Sequence, residues 1–569
     1  MTRLSQRQAP APLTRKLTEA GMHPLLARLY AARGITSAAE LKTDLGALLS
    51  PESLKGTKEA AELLADAIEA EVRMVIVADY DCDGATACAV GLRALRGMGA
   101  RDVHYVVPDR VIHGYGLSPS VVAEVAKLEA DILITVDNGI ASVDGVAAAQ
   151  ALGMTVLITD HHLPGETLPT AEVIVNPNQP GCNFASKNLA GVGVMFYVAL
   201  ALRAELRRRG WFNAERPEPN LGALLDLVAL GTVADVVKLD ANNRLLVRQG
   251  LARMRAGKEQ AGIKALFGAA GREPARATTF DMGFALGPRL NAAGRLADMA
   301  LGIECLITDD YGRAFNIAQD LDKLNRERRS IEEEMRDAAL ATLEETQLDE
   351  SPAIALFEPE WHQGVIGIVA GRIKDRAHRP TIAFARANDH DGDGELKGSG
   401  RSIAALHLRD ALDLITKRHP DLILKFGGHA MAAGLTIREA DFPRFRQIFA
   451  DTVAELVPAK DLQRTLETDG ALETGYMSLE TARLLDAEIW GQGFAAPLFE
   501  DVFQVDKQRL LKERHLKLQL SKPGAVFDAI QFNCAENVPG QIRAAYRLSV
   551  NEYQGVASVQ LMLEYFEPA

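Results

Sequence analysis

Asp79, Asp81 and Asp83 stand two residues apart, and Gly84 follows them. Three carboxylates this close repel one another, and a hard divalent cation is the natural group to relieve that repulsion. Two further polar clusters have the same character: Asp137 in the run Thr135 to Gly139, and Asp160 followed by His161 and His162. A later apolar run, Leu227 to Ala234, is followed by Asp235. Asp226 competes with it but precedes the run, so Asp235 is favoured. Carboxylate oxygens with an imidazole and no thiolate suit Mg²⁺ or Mn²⁺. Five or six such ligands exceed what one ion with open positions needs. They suit a pair of ions roughly 3.5–4 Å apart, which clamps a phosphoryl group and lowers the pKa of a water. Asp137 is the expected bridging ligand, and Asp160 is expected to orient the histidines. Each acid alone is as readily a helix cap; the joint pattern supports the metal reading.

The spacing Asp-x-Asp-x-Asp-Gly also opens an EF-hand loop, which needs a Glu at position twelve. That position is Val90, within an apolar stretch, so the reading fails. The acidic run from Asp389 to Glu395 fails in the same way, with Gly400 at position twelve, and reads as a hairpin tip.

The acids can converge only if their carriers are neighbours. Met74–Ala78 is a continuous apolar run, as a buried parallel strand should be. Val103–Val107, Ile132–Val136, Thr155–Thr159 and Glu172–Val175 are further strand candidates, with helices such as Ser118–Leu128 and Val143–Leu152 between them. Alternating strands and helices predict a doubly wound parallel sheet, whose ligands bind beyond the carboxyl ends of the strands. Asp79, Asp137 and Asp160 each follow such a strand.

With 569 residues the chain has room for about three or four domains. Residues 1–50 are mostly helical in pattern, with Leu25, Leu26, Leu29 and Tyr30 on one face, and read as a cap on the first domain. The α/β domain is placed at 51–310. One long charged helix is expected over 311–346, with Arg326, Arg328 and Arg329 four residues or so ahead of Glu332, Glu333 and Glu334. A second α/β domain is expected over 347–459. It contains Gly398-Ser399-Gly400-Arg401-Ser402, where small residues allow close backbone approach to an anion that Arg can fork onto. His429 after two glycines is a phosphate contact, a proton donor or a core histidine. Short alternating segments over 460–569 predict a small β-barrel of OB type, a fold that binds single strands by stacking and a basic groove. Lys507, Arg509, Lys512, Arg514 and Lys517 surround one of its strand pairs, as a binding surface or a solvated face. The stretch Gly287 to Arg295, with Arg289 and Asn291 within it, reads either as a structured loop or as a phosphate-contacting turn.

The net charge of −13 counts mildly against nucleic acid as a partner. Five scattered cysteines without a CxxC pair point to a reducing compartment. The N-terminus lacks the apolar core of a signal peptide, and no apolar run approaches the roughly 20 residues that span a membrane. A cytoplasmic protein with no membrane contact is expected.

Asp79 to Gly84, Val136 to Gly139 and Asp160 to His162 resemble, in this order, the motifs of the DHH phosphoesterase superfamily. Within it the chain is similar to the RecJ exonuclease branch from about Leu41 to its end. Pro108 to Arg110, Gly114 to Leu117, Leu189 to Gly193, Ala229 to Asp235, Gly287 to Arg295, Trp361 to Ala370, Gly398 to Ser402 and Phe426 to His429 carry this likeness. The resemblance implies a DHH domain, a connecting helix that lets a groove form, a DHH-associated domain and an OB-fold. It also implies a 5′→3′ exonuclease specific for single-stranded DNA, releasing mononucleotides and acting in repair and recombination. Carried over by motif, Asp79, Asp81, Asp137, His161 and Asp235 would hold two Mn²⁺ or Mg²⁺ ions. His162 would support the transferred phosphoryl group. Arg110, Ser399 and Arg401 would grip the 5′-terminal phosphate, and Arg289, Asn291, Arg295 and His429 would touch the backbone near the scissile bond. Val77 stands where some relatives place a metal-binding His, which implies fewer protein ligands for one ion. The stretch Gly491 to Pro497 departs from the common Gly-x-x-Asn-Pro form without touching a proposed ligand. The expected partners are a single strand with a 5′ end, a single-strand-binding protein and a helicase, acting on a monomer. Two alternatives remain: a DHH phosphodiesterase of cyclic dinucleotides or short oligonucleotides, which would need only the two core domains, and an inactive DHH scaffold, which the intact acids and histidines oppose.

Overall fold

A computed structural model describes residues 2–108, 116–346, 351–387 and 394–569. Arg110 and the expected hairpin tip from Asp389 lie outside the described residues, the tip except for its last two residues. Strand β1 is Arg3–Gln6. The first sheet comprises β2 (Met74–Ala78), β3 (Val103–Val106), β4 (Ile132–Val136), β5 (Thr155–Thr159) and β6 (Val173–Val175). Its order is β3-β2-β4-β5-β6, and every pairing is parallel. This is the doubly wound sheet predicted from the apolar runs. All five residues of β2 and of β4 are buried, because helices cover both faces. Val75, Val77, Leu133, Val156 and Ile158 face Val121, Val125, Val146 and Ala149 of the helices Pro119–Ala126 and Val143–Ala151. On the other face Ile76 meets the Cys82–Gly97 helix, where a methyl built on Gly91 would lie 3.0 Å from its Cδ1. Each such aliphatic side chain contributes roughly 1.5–3 kcal/mol on burial.

The register matters more than the strand count. Ala78 pairs with Val136, and Val136 with Thr159. Asp79, Asp137 and Asp160 therefore stand one residue beyond three aligned strand ends. Asn138 fixes this edge by donating to the carbonyls of Val77 (3.1 Å) and Val136 (2.9 Å).

The chain divides into two compact units, one formed by Lys323–Leu466 with the first five residues, the other by the remainder. In the Lys323–Leu466 unit, β7 (Ile354–Phe357), β8 (Thr381–Arg386), β9 (Glu395–Arg401), β10 (Lys425–Gly428) and β11 (Ala432–Arg438) form a sheet of order β10-β11-β9-β8-β7. One face packs on the Ile366–Ala377 helix with Met335 and Ala339 of the long helix. The other packs on the helices Leu408–Arg418 and Phe442–Leu456. The long helix runs over Tyr311–Thr346, as its charge pattern predicts, and Arg328 pairs with Glu332 at 3.1 Å.

After β12 (Thr465–Thr468) come β13 (Phe499–Leu511), β14 (His515–Lys522), β15 (Ala525–Gln531), β16 (Gln541–Tyr553) and β17 (Val556–Pro568). They close into a barrel of order β13-β14-β15-β17-β16. The N-terminal segment holds the stretch that leads into the barrel: Arg33 forms a two-pronged pair with Asp469 at 2.9 Å, and the Tyr30 hydroxyl donates to Glu488 at 2.6 Å. Among the described residues no helix is long and apolar enough to cross a membrane.

Candidate metal centre

The sheet edge gathers the acids that the sequence spaces far apart. Asp79 is buried, and its Oδ1 accepts the Tyr80 amide at 2.8 Å. Asp81 is the N-cap of the Cys82–Gly97 helix, accepting the amides of Asp83 (2.8 Å) and Gly84 (3.0 Å) on one oxygen. Capping uses one carboxylate oxygen and leaves the other available to a metal ion. Asp137 adopts a left-handed backbone, φ 64°, rarely taken by a residue other than glycine and typical of functional sites. Gly191 is required beside it, because a Cβ there would come within 2.6 Å of the Asp137 side chain.

Asp83 had no role in the sequence reading beyond its place in the triplet. It is fully buried, and its two oxygens accept the amides of Gly191 (2.6 Å) and Val192 (2.9 Å), at the start of the Gly191–Arg208 helix. The two small residues of Gly191-Val-Gly193 were the available signal, because amides that close to a strand edge seek an anion. Asp235 terminates the Leu225–Ala234 helix rather than a strand. Asp226 lies at the other end of that helix, accepting the amides of Leu227 (2.9 Å) and Gln260 (2.5 Å).

His161 Nε2 is the focus of the cluster. It lies 3.1 Å from Asp137 Oδ1, 3.5 Å from Asp235 Oδ2 and 4.0 Å from Asp83 Oδ2. His161 Nε2 and Asp235 Oδ2 are buried and make no hydrogen bond among the described residues. Three groups, Asp79–Asp81–Asp137, Asp83–His161–Asp235 and Asp137–His161–His162, each bring one ligand atom per residue within 4.8 Å of the others. Asp137 and His161 belong to two groups each, so the donors are shared as a two-ion site requires. Burial, then the neighbouring carboxylates, pushes the carboxyl of Asp137 well above the ordinary range. Burial and the Asp235 charge raise Asp83, and burial and the Asp81 charge raise Asp235. Burial, followed by the charge on His162, lowers His161 toward the neutral, ligating form. Buried oxygen donors that strain to stay ionised together, around a neutral imidazole, fit hard divalent cations.

Asp160 serves the histidines, as expected. Its Oδ1 accepts the amides of His161 (2.7 Å) and His162 (3.1 Å) and pairs with His162 Nδ1 at 2.7 Å, while Oδ2 accepts the Ile140 amide at 2.9 Å. Burial opposes a charge on His162, but the bond to Asp160 and the charges on Asp160, Asp235 and Asp79 together outweigh it and raise the imidazole to about 9. A cationic donor thus stands beside the carboxylates.

The stretch Gly287 to Arg295 is neither loop nor turn but most of a helix, Gly287–Leu296, entered through a π-helical turn over Met282–Leu286. Its glycines and proline disfavour a helix by propensity, so packing enforces it: a Cβ on Gly294 would lie 1.9 Å from the Tyr80 carbonyl oxygen. Asn291 Oδ1 accepts the Cys82 amide at 2.7 Å. Arg289 is buried, donates to the Ala285 carbonyl at 2.6 Å and pairs with Asp322 at 2.7 Å. Asn291 thus braces the Asp79–Asp83 loop from behind, while Arg289 ties this helix to the long helix. Arg295 is half-buried on the same helix.

In the Lys323–Leu466 unit, Ser399 and Arg401 lie on β9, and the guanidinium donates to Ser399 Oγ at 3.3 Å and to the Gly400 carbonyl at 2.9 Å. Gly398 and Gly400 alternate with them, turned inward against Phe384 and Leu408. The exposed His429 follows β10, its amide bonded to the Ala432 carbonyl at 2.8 Å.

Comparison with known proteins agrees with this architecture. Residues 73–232 match the DHH family N-terminal domain, 350–455 the DHHA1 domain and 468–565 the RecJ OB domain. The single-stranded-DNA-specific exonuclease RecJ of Dickeya dadantii is 52% identical over 557 residues, 96% of each chain. The crystal structure of RecJ in complex with Mn²⁺ from Thermus thermophilus superposes with a TM-score of 0.81 at 30% identity, covering 100% of this chain and 79% of that one. The Mg²⁺ complex from the same organism gives 0.75 at 30% identity, covering 100% and 78%. Half the residues are shared with a relative along almost its whole length, and the three domains occur in one order, so the chain belongs to the RecJ family of single-stranded-DNA-specific exonucleases.

Proposed function

We propose that this chain is a metal-dependent exonuclease that hydrolyses single-stranded DNA from a 5′ end, releases 5′-mononucleotides and acts in DNA repair and recombination. The observation that carries the reading is the cluster of buried acids around His161 Nε2 at the edge of the parallel sheet. Asp79, Asp81, Asp137, His161 and Asp235 hold two Mn²⁺ or Mg²⁺ ions, and Asp83 joins the group around His161. Bound there, the ions neutralise charge on the phosphoryl oxygens and lower the pKa of the attacking water. Asp160 keeps His162 charged, so that its second ring nitrogen donates to a phosphoryl oxygen as negative charge grows on it. Ser399 and Arg401 take the 5′-terminal phosphate, with Arg110. Arg295 and His429 contact the backbone, while Asn291 acts through the loop it braces and Arg289 through the helix it anchors.

Domain limits of 1–50, 51–310, 311–346, 347–459 and 460–569, a monomeric state, a cytoplasmic location, and a single-strand-binding protein and helicase as partners belong to the same proposal. The test is cleavage of 5′-labelled and 3′-labelled DNA, single- and double-stranded, with Mg²⁺ or Mn²⁺. Stepwise release of mononucleotides from the 5′ end of a long single strand supports the reading; action on short oligonucleotides alone rejects it. Asp81→Ala should abolish cleavage and leave DNA binding; an unchanged rate removes Asp81 from the mechanism.

A further inference from the structure

Phe280 and Phe284 are the most exposed of the described Phe, Tyr and Trp side chains, at 55% and 65%. They stack on each other, ring centroids 4.7 Å apart and planes inclined by 25°. One face of each ring is shielded by the other, and the outer surface is left to water. Two rings held in water forgo the burial that normally rewards an aromatic side chain. Their mutual order therefore asks for an occupant with a flat apolar face.

Their placement says which occupant. Phe280 lies in the turn Thr279–Asp281, which a capping box between Thr278 and Asp281 fixes. Phe284 lies in the π-helical turn Met282–Leu286, a rare geometry that recurs at functional sites. That turn packs on the last turn of the Leu225–Ala234 helix: a Cβ on Gly283 would meet Val233 Cγ1 at 3.5 Å, and one on Gly287 would meet the Ala234 Cβ at 3.1 Å. The next residue along that helix is Asp235 of the metal centre. After it Val236 is 61% exposed and holds a left-handed backbone, φ 63°, a strained conformation for a β-branched residue. At the other end of the segment Arg276 pairs with Glu552 of β16 in the barrel. The guanidiniums of Arg272 and Arg276 are exposed in the same segment, the first 3.7 Å from Asp281 and the second paired with Glu273 and Glu552. Stacking rings in a segment that carries exposed arginines, fastened to the metal centre at one end and to an OB-type barrel at the other, match the chemistry of an unpaired strand.

We propose that Phe280 and Phe284 form a stacking platform for an unpaired nucleobase of the strand whose phosphate the metal centre holds; this rests on the exonuclease reading above. A duplex hides its base faces, so the platform favours single strands without reading sequence.

The test has a cleavage arm and a binding arm. In the first, the double variant Phe280→Ala/Phe284→Ala should raise KM for a single strand about tenfold, with kcat falling far less. On a strand whose 5′ segment is abasic, the variant and wild type should have equal KM. In the second, oligonucleotides carrying 2-aminopurine at successive positions are bound in EDTA. Wild type should quench one position by stacking, and the double variant should not. Phe284→Tyr, which keeps the flat face, should behave as wild type; Phe284→Leu, which keeps bulk alone, should behave as Phe284→Ala. Equal KM rises on base-bearing and abasic strands, or quenching that survives the double variant, would overturn the proposal. The binding arm needs no cleavage, so a failure of the exonuclease reading would show in the wild-type cleavage arm alone.

Discussion

Gly294→Ala separates folding from function. A Cβ at this position would stand 1.9 Å from the Tyr80 carbonyl oxygen, and real Cβ atoms essentially never approach closer than 3.0 Å. The helix and the loop must therefore part by about 1.1 Å, the difference between those distances. Tyr80 sits between Asp79 and Asp81, so the movement falls on two proposed ligands. A displacement of about 1 Å at reacting groups lowers a rate about 100-fold. Stability changes little by comparison. Overpacking costs about 1–3 kcal/mol, and replacing Gly by Ala inside a helix returns up to about 1 kcal/mol. The expected variant melts within several degrees of wild type, releases nucleotides about 100-fold more slowly at saturating Mn²⁺, and binds Mn²⁺ more weakly by titration calorimetry. Gly97→Ala is the control, because its Cβ would make an ordinary 3.6 Å contact with Pro219; it should keep the wild-type rate. A Gly294→Ala protein that cleaves at the wild-type rate at every Mn²⁺ concentration would refute the bracing role of this helix.

Asp235→Asn removes one of the buried like charges, so the metal-free variant should be more stable than wild type by about 1–2 kcal/mol in urea titration. Added Mn²⁺ should then raise its Tm less than that of wild type, and cleavage should be lost. Asp322→Ala takes away the carboxylate that pairs with the buried Arg289 and should lower stability by about 3 kcal/mol; replacing both partners by Leu should recover part of it. Burial raises Asp226 from 3.8 to about 6, so its contribution is complete below about pH 3.8 and is lost as pH rises through 6. The shift of about two units corresponds to at most about 3 kcal/mol. Asp226→Asn should therefore gain stability over wild type between pH 4 and pH 7, and a Tm difference equal at both ends would exclude this titration.

The sheet is legible because its central strands are almost wholly buried and are written as mainly apolar runs, broken only by threonine. Met74–Ala78, Ile132–Val136 and Thr155–Thr159 have the bounds that the residues imply. The convergence of Asp79, Asp137 and Asp160 followed from parallel strands sharing one edge. The Gly287–Leu296 helix was not legible, since its glycines serve close packing against the Tyr80 carbonyl, which no local pattern records. The role of Asp83 is illegible for a related reason. Its amide partners, Gly191 and Val192, come from more than a hundred residues away in the chain. The strand carrying Ser399 and Arg401 is rich in glycine, and its inward positions are empty because Phe384 and Leu408 fill them from neighbouring elements.

Anomalous diffraction at the manganese edge, from crystals of the full chain grown with Mn²⁺, tests the central claim most directly. Two peaks about 3.5–4 Å apart are expected, flanking Asp137 and within bonding distance of His161 Nε2 and Asp235. No peak beside these residues, or a single ion bound elsewhere, would contradict the account.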